Sequence, residues 1–234
     1  MLLVSGRALV RSRGMGTNAS GAKQSHSSSD SRAEQSPARE RILATAYDLF
    51  CRNGIRAVGI DTIVERSNVA KMTLYRHFRS KDDLVLAVLE RREDLWTHRW
   101  LQAAVKRQSE DPGDRLLAIF DVFDVWFRRR NFEGCLFVNA LLEIEDRQDP
   151  IHRACREQLA RIRSFVEELA RDAGVAEPEP FARQWHILMK GSIVAAGEGD
   201  VDAALRAKEL ARLLLASAAP NRAPTGPNYL PLKK

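Results

Sequence analysis

Apolar residues recur along this chain at three- and four-residue spacing, the period of an amphipathic helix, and alternation of period two is absent. Ser36-Pro37 reads as a helix start, because Ser accepts a backbone N–H and Pro suits the first helical position. Ile42, Leu43, Ala46, Leu49 and Phe50 follow on one face, and Asn53-Gly54 stops the run. Ile60, Ile63 and Val64 mark a short second helix, and Ser67-Asn68 a tight turn that Val69 plugs. A third short helix covers 71–78. Ser80 caps a long fourth helix with Leu84, Val88, Leu89 and Leu95 on its buried face.

The rest of the chain continues in the same period. Asp111-Pro112 opens a helix carrying Leu116, Leu117, Ile119, Phe120, Phe123 and Phe127, with Arg128-Arg129-Arg130 in its last turn. Gly134 restarts the chain into 136–144, and Asp149-Pro150 opens a long amphipathic helix that Gly174 ends. Two further helices are expected over 180–196 and 201–216. Both have more apolar positions than one buried face needs, including Ile187, Val194, Leu205, Leu210, Leu213 and Leu214, so they are the expected dimer interface. The fold class is all-α.

Three short helices with a tight turn before the last form a helix-turn-helix pattern. Leu74 and Phe78, four apart, face the core, which leaves Lys71, Thr73, Arg76 and the edges of Tyr75 and His77 outside. Such a helix offers donors to phosphates and base edges, and apolar stems to thymine methyls.

Charge sharpens this reading. The net charge of +6 sits wholly in residues 1–83, which hold 14 Lys+Arg against 8 Asp+Glu, while the remainder is balanced. A basic segment joined to a neutral one suits a polyanion-binding module attached to something else. Residues 1–35, rich in Ser, Gly and Arg, read as a flexible arm within which Met15 is an alternative start. Residues 36–83 read as a DNA-binding head, 84–218 as a helical ligand-binding and dimerisation body, and 219–234 as an irregular Pro-rich tail. No apolar run approaches the roughly 18 residues needed to span a bilayer, so no membrane partner is expected and the location is expected to be cytoplasmic.

Specific chemistry is sparse. Cys51, Cys135 and Cys155 are too few and too scattered for a disulfide framework or zinc knuckle. Cys155 lies between Arg153 and Arg156 in sequence, which leaves a thiol-based redox sensor as an alternative, through Cys135 or Cys155. Glu143, Glu145, Asp146 and Asp149 have only His152 nearby as an imidazole, so neither a metal nor another cofactor is expected. The chain has no G-x-S-x-G elbow, P-loop, Rossmann glycine run or H-E-x-x-H motif, which argues against an enzyme.

The segment 39–86 closely resembles the DNA-binding domain of TetR-family regulators. The resemblance rests on Asp48-Leu49-Phe50 before Gly54, on Val69-Ala70-Lys71-Met72-Thr73-Leu74-Tyr75-Arg76-His77-Phe78, and on Ser80-Lys81-Asp82-Asp83-Leu84. It implies a dimer that binds double-stranded operator DNA with palindromic symmetry, and a small-molecule inducer in the body that changes the spacing of the heads. It implies base contacts from Lys71, Met72, Thr73, Tyr75 and Arg76, and phosphate contacts from Tyr75, His77 and Lys81. This chain departs from the pattern at Gly59, Asn68 and Ala70, and at Met72, which should alter base preference. For the ligand, the large side chains of the body suggest a mostly apolar molecule among Trp96, Trp100, Phe120, Phe123, Phe127, Phe137 and Met189, oriented by Asn139 and His186. The competing assignment for these rings is simple core packing.

Overall fold

The computed structural model describes residues 36–218; the arm expected over 1–35 and the tail expected over 219–234 lie outside the described residues. The described residues are helical throughout and contain no strand. The helices are α1 (Pro37–Asn53), α2 (Ile60–Ser67), α3 (Lys71–His77) and α4 (Lys81–Arg92), followed by a π-helical segment (Glu93–Gln102) and α5 (Ala103–Gln108). Then come α6 (Pro112–Phe127), α7 (Leu136–Glu143), α8 (Pro150–Asp172), α9 (Pro178–Gly197) and α10 (Ala203–Ala218). No helix among the described residues is long and apolar enough to cross a membrane.

Local chemistry accounts for most of the boundaries. Ser80 Oγ accepts from Asp83 N–H at 3.0 Å, Asp111 Oδ1 from Asp114 N–H at 2.9 Å, and Asp149 Oδ1 from Ile151 N–H at 2.7 Å. Each satisfies a backbone donor that the first helical turn leaves open. Pro37 occupies the first turn of α1 as expected, but the Ser36 side chain makes no capping bond. Asn68 ends α2 with φ 51°, the left-handed conformation expected of it.

Helix α1 packs on α2, α3 and α4 to form the head, with Ile42, Leu43, Ala46, Phe50, Ile63, Leu74 and Phe78 sealed inside. In the body, α6 lies against α5, α8 and α10, while α9 packs on both α8 and α10. Aromatic rings fill its centre. Phe123 touches Phe120, Trp96, Trp126 and Phe127, with centroids 5.6–6.2 Å apart.

Three expectations need correction. The fourth helix is continuous but changes its winding at Glu93. Wider turns rotate each residue less than α-helical ones, so Leu95 turns outward and is exposed, while Trp96 and Thr97 turn in. The Arg128–Arg130 triplet lies past the end of α6, whose last helical residue is Phe127. Leu214 is half-buried, unlike its exposed neighbours Leu210 and Leu213.

Candidate DNA-reading helix, ligand cavity and their connection

Helix α3 can present a surface only because its other side is anchored. Leu74 is fully buried and Phe78 nearly so, and the guanidinium of Arg39 lies 5.3 Å above the Phe78 ring. The anchored side fixes the rotation of α3, so Lys71, Met72, Tyr75 and Arg76 are exposed, and Thr73 and His77 half-exposed. Met72 is 73% exposed, which leaves its flexible thioether free to meet an apolar group. Lys71 Nζ is held 2.6 Å from Asp61 Oδ1 at the start of α2, which keeps its charge beside the helix start. Partial burial and the nearby Arg39 and Arg76 charges lower the His77 pKa and favour the neutral ring. Lys81, at the start of α4, donates to the Arg56 carbonyl at 3.3 Å. Of the residues expected to touch DNA, Lys71, Met72, Thr73, Tyr75, Arg76 and His77 are thus exposed or half-exposed on α3, while Lys81 stands at the start of the next helix.

The residues expected to hold a ligand are only partly gathered. Trp96, Phe123, His186 and Met189 line a common cavity with Cys135, Val138, Leu159, Ile162, Lys190 and Ile193. It holds about 10 Å³, room for one water molecule at most. Phe120, Phe127 and Phe137 are buried elsewhere in the core, and Trp100 is half-buried against Trp96 and Trp126. Asn139 is exposed and faces a second groove, which shares Val138 and Ile193 with this cavity. Of the nine residues expected around a ligand, four line this cavity. Aromatic bulk marks a core and a cavity wall equally well.

His186 is buried, and burial together with Lys190 and Arg163 pushes its pKa down to about 3, so the ring is neutral. The cysteines do not have the environment of a sensor. Burial pushes the Cys155 thiol up to about 12 and raises Cys135 as well, so thiolate, the reactive form, is suppressed. Arg153 and Arg156, adjacent in sequence, are exposed and contribute nothing to lowering the Cys155 pKa.

Four residues that join head to body, Glu143, Arg52, Glu133 and Arg92, were not singled out for that role from sequence. Glu143, the last residue of α7, accepts from Ile55 N–H at 2.8 Å and from Arg56 N–H at 2.5 Å. The two donors follow Gly54, whose φ of 81° turns the chain out of α1. A Cβ at Gly54 would meet Glu143 Oε2 at 3.2 Å, so glycine serves both the turn and the close approach. Arg52 and Glu133 add an ion pair at 2.6 Å across the same junction. Arg92 is sandwiched between the Tyr47 ring of the head and the Trp96 ring of the body, 5.1 and 5.0 Å from their centroids. Nothing in the local sequence distinguishes Glu143 from its acidic neighbours, since its partners lie nearly ninety positions away.

Glu143→Ala removes both acceptors. The loss of a charged acceptor is expected to cost about 1.5–3 kcal/mol of stability. Amide exchange at Ile55 and Arg56 should accelerate, while exchange within α8 stays slow. Unchanged exchange at those two amides would mean that the clamp does not persist in solution.

Comparison with known proteins places this architecture. Residues 42–88 match the family profile described as bacterial regulatory proteins, tetR family, and residues 112–211 match the tetracyclin repressor-like C-terminal domain. The crystal structure of SCO4454, a TetR-family transcriptional regulator from Streptomyces coelicolor, superposes with a TM-score of 0.73 at 30% identity. The match covers 80% of this chain and 98% of that one. The chain belongs to the TetR family. Among TetR-family relatives, the transcriptional activator FasR of Mycolicibacterium smegmatis is 39% identical over 85 residues, 36% of this chain and 38% of FasR. The repressor NemR of Escherichia coli is 26% identical over 134 residues, 55% of this chain and 67% of NemR. The matched stretches span less than two fifths of FasR and of the regulator QacR from Staphylococcus aureus. The family profile over 42–88 coincides with the head, and the second profile begins where α6 begins.

Proposed function

We propose that this TetR-family protein is a sequence-specific, DNA-binding transcriptional repressor that acts as a homodimer on a palindromic operator and is released by a small, mostly apolar ligand. The observation that carries the reading is α3: Leu74 and Phe78 are locked inside while Lys71, Met72, Tyr75 and Arg76 project outward. That arrangement suits insertion into a major groove, with Lys71, Thr73, Tyr75 and Arg76 able to bond base edges or phosphates, and Met72 able to meet a thymine methyl. Lys81 and His77 flank the helix where backbone phosphates would run. The apolar side chains left exposed on α9 and α10, Ile187, Val194, Leu205, Leu210 and Leu213, support dimerisation through a four-helix contact.

The route from ligand to DNA follows from α7. Its N-terminal end carries Cys135 and Val138 to the cavity wall, and its C-terminal end carries Glu143 to the loop that follows α1. A ligand that widens the small cavity displaces α7. Displacement reaches Ile55 and Arg56, and through the Arg56 carbonyl it reaches Lys81. Release requires that the ligand prefer the displaced arrangement, and its differential affinity limits the effect.

Selection of bound sequences from random DNA, followed by gel shifts at several salt concentrations, tests the reading. Recovery of a symmetric sequence bound in a salt-sensitive manner is expected. Lys81→Ala should weaken binding to every sequence and lower the salt slope by about one unit, whereas Thr73→Ala should change base preference. A Lys81→Ala protein with altered base preference and an unchanged slope would exchange the two assignments.

A further inference from the structure

A groove of about 540 Å³ runs between α8 and α9, lined by Arg153, Arg156, Arg163, Arg183 and Lys190 against one carboxylate, Glu157. The three α8 arginines recur at helical spacing and so share a face. Arg183 is neutralised by Glu179 at 2.5 Å, but Arg153, Arg156, Arg163 and Lys190 have no ion-pair partner among the described residues. Four uncompensated cations around a concavity repel one another, and an anion would relieve that cost.

The groove does not stand alone. Leu159, His186 and Lys190 line both it and the small apolar cavity, so the charged groove and the apolar interior share a wall. Within the cavity wall, the indole N–H of Trp96, a residue 6% exposed, has no hydrogen-bond partner. An unpaired buried donor is costly, and polar groups of a ligand commonly resolve such a cost. His186, likewise buried, stands in the wall between groove and cavity. Met189, unbranched and adaptable, forms part of the cavity wall and can yield to an entering chain.

We propose that groove and cavity form one two-part site for an amphipathic organic anion. Its apolar body enters between Trp96, Phe123, Met189 and Ile193, and its carboxylate or phosphate head is held by Arg153, Arg156, Arg163 and Lys190. This rests on the ligand-released regulator described above and specifies the chemical class of its ligand. The head group selects for charge at the mouth, and the apolar body does the work of widening the cavity.

The test uses the full chain and four probes each built on an eight-carbon chain: octanoate, octyl phosphate, 1-octanol and octyltrimethylammonium. Binding is read from tryptophan fluorescence, to which Trp96 contributes, and from calorimetry. Octanoate or octyl phosphate should bind at least tenfold more tightly than 1-octanol, with the cation weakest, and the better of the two anions identifies the head group. Arg156→Gln combined with Arg163→Gln, which line the groove and not the cavity, should abolish that preference and leave the affinity for 1-octanol unchanged. Arg171→Gln, outside the groove, should change neither. Equal binding of octanoate and 1-octanol, or an anion preference that survives the double substitution, overturns the proposal. A gel shift on the selected operator, run without ligand, separates the two failures. Loss of operator binding counts against the regulator, and intact operator binding without anion preference counts against the site alone.

Discussion

Phe123→Ala should lower the stability of this protein by about 3–5 kcal/mol, the usual cost of truncating a buried phenylalanine. Its ring is completely buried and packs against four others, two of them tryptophans, with centroids within 6.2 Å. Such aromatic pairs add about 0.5–1.5 kcal/mol each beyond the area they bury. For a chain of this size the midpoint of thermal unfolding should fall by roughly 6–20 °C. Phe123 also lines the cavity, so the same truncation should enlarge the space available to a ligand. The expected combination is a protein that unfolds early, still binds operator below its midpoint, and responds to ligand with altered affinity. An unchanged midpoint would show that the surrounding rings collapse into the vacated volume. An unchanged ligand response in a destabilised protein would leave Phe123 as core alone.

The second large effect concerns the outer face of α9 and α10. Replacing Leu210 and Leu213 together by Glu should convert a dimer into folded monomers. Their exposures of 55% and 70% mean that neither substitution disturbs the interior of one protomer, so circular dichroism should keep its helical signature. Four added carboxylates across a two-fold contact oppose each other and forfeit the apolar burial that holds the helices together. Sedimentation should report half the mass. One head alone then meets one half-site, and operator affinity should fall by about a thousandfold or more, toward the non-specific level. A double variant that stays dimeric would move the interface to another surface.

The sequence revealed the helices better than it revealed which side chains act together. Boundaries at Asp111, Asp149 and Ser80 were readable because capping is a local matter, settled by a side chain and a backbone donor two or three positions away. The recognition helix was readable because the Leu74 and Phe78 spacing fixes its rotation. The change of winding at Glu93 was not, since Trp96 and Trp100 are spaced as an α-helix would space them, and tertiary packing decided otherwise. Among the aromatic rings, Phe120 and Phe123 are three positions apart and equally buried, yet only Phe123 lines the cavity. Periodicity reports which face is covered and not what covers it. The position of Asn139 was hidden for a similar reason: it lies beside buried residues in sequence but is itself exposed on α7.

The paired hydrogen bonds from Glu143 to Ile55 and Arg56 carry an obligation in the opposite direction. A junction through which a ligand lowers operator affinity by some factor must let the operator lower ligand affinity by that same factor. DNA is then an effector of the cavity as much as the ligand is an effector of the head. A dissociation constant measured on free protein describes a species that is scarce while operators are occupied. The ligand concentration that empties an operator accordingly rises with the tightness of that operator, so promoters under one repressor of this build would respond in order of their own affinity, weakest first.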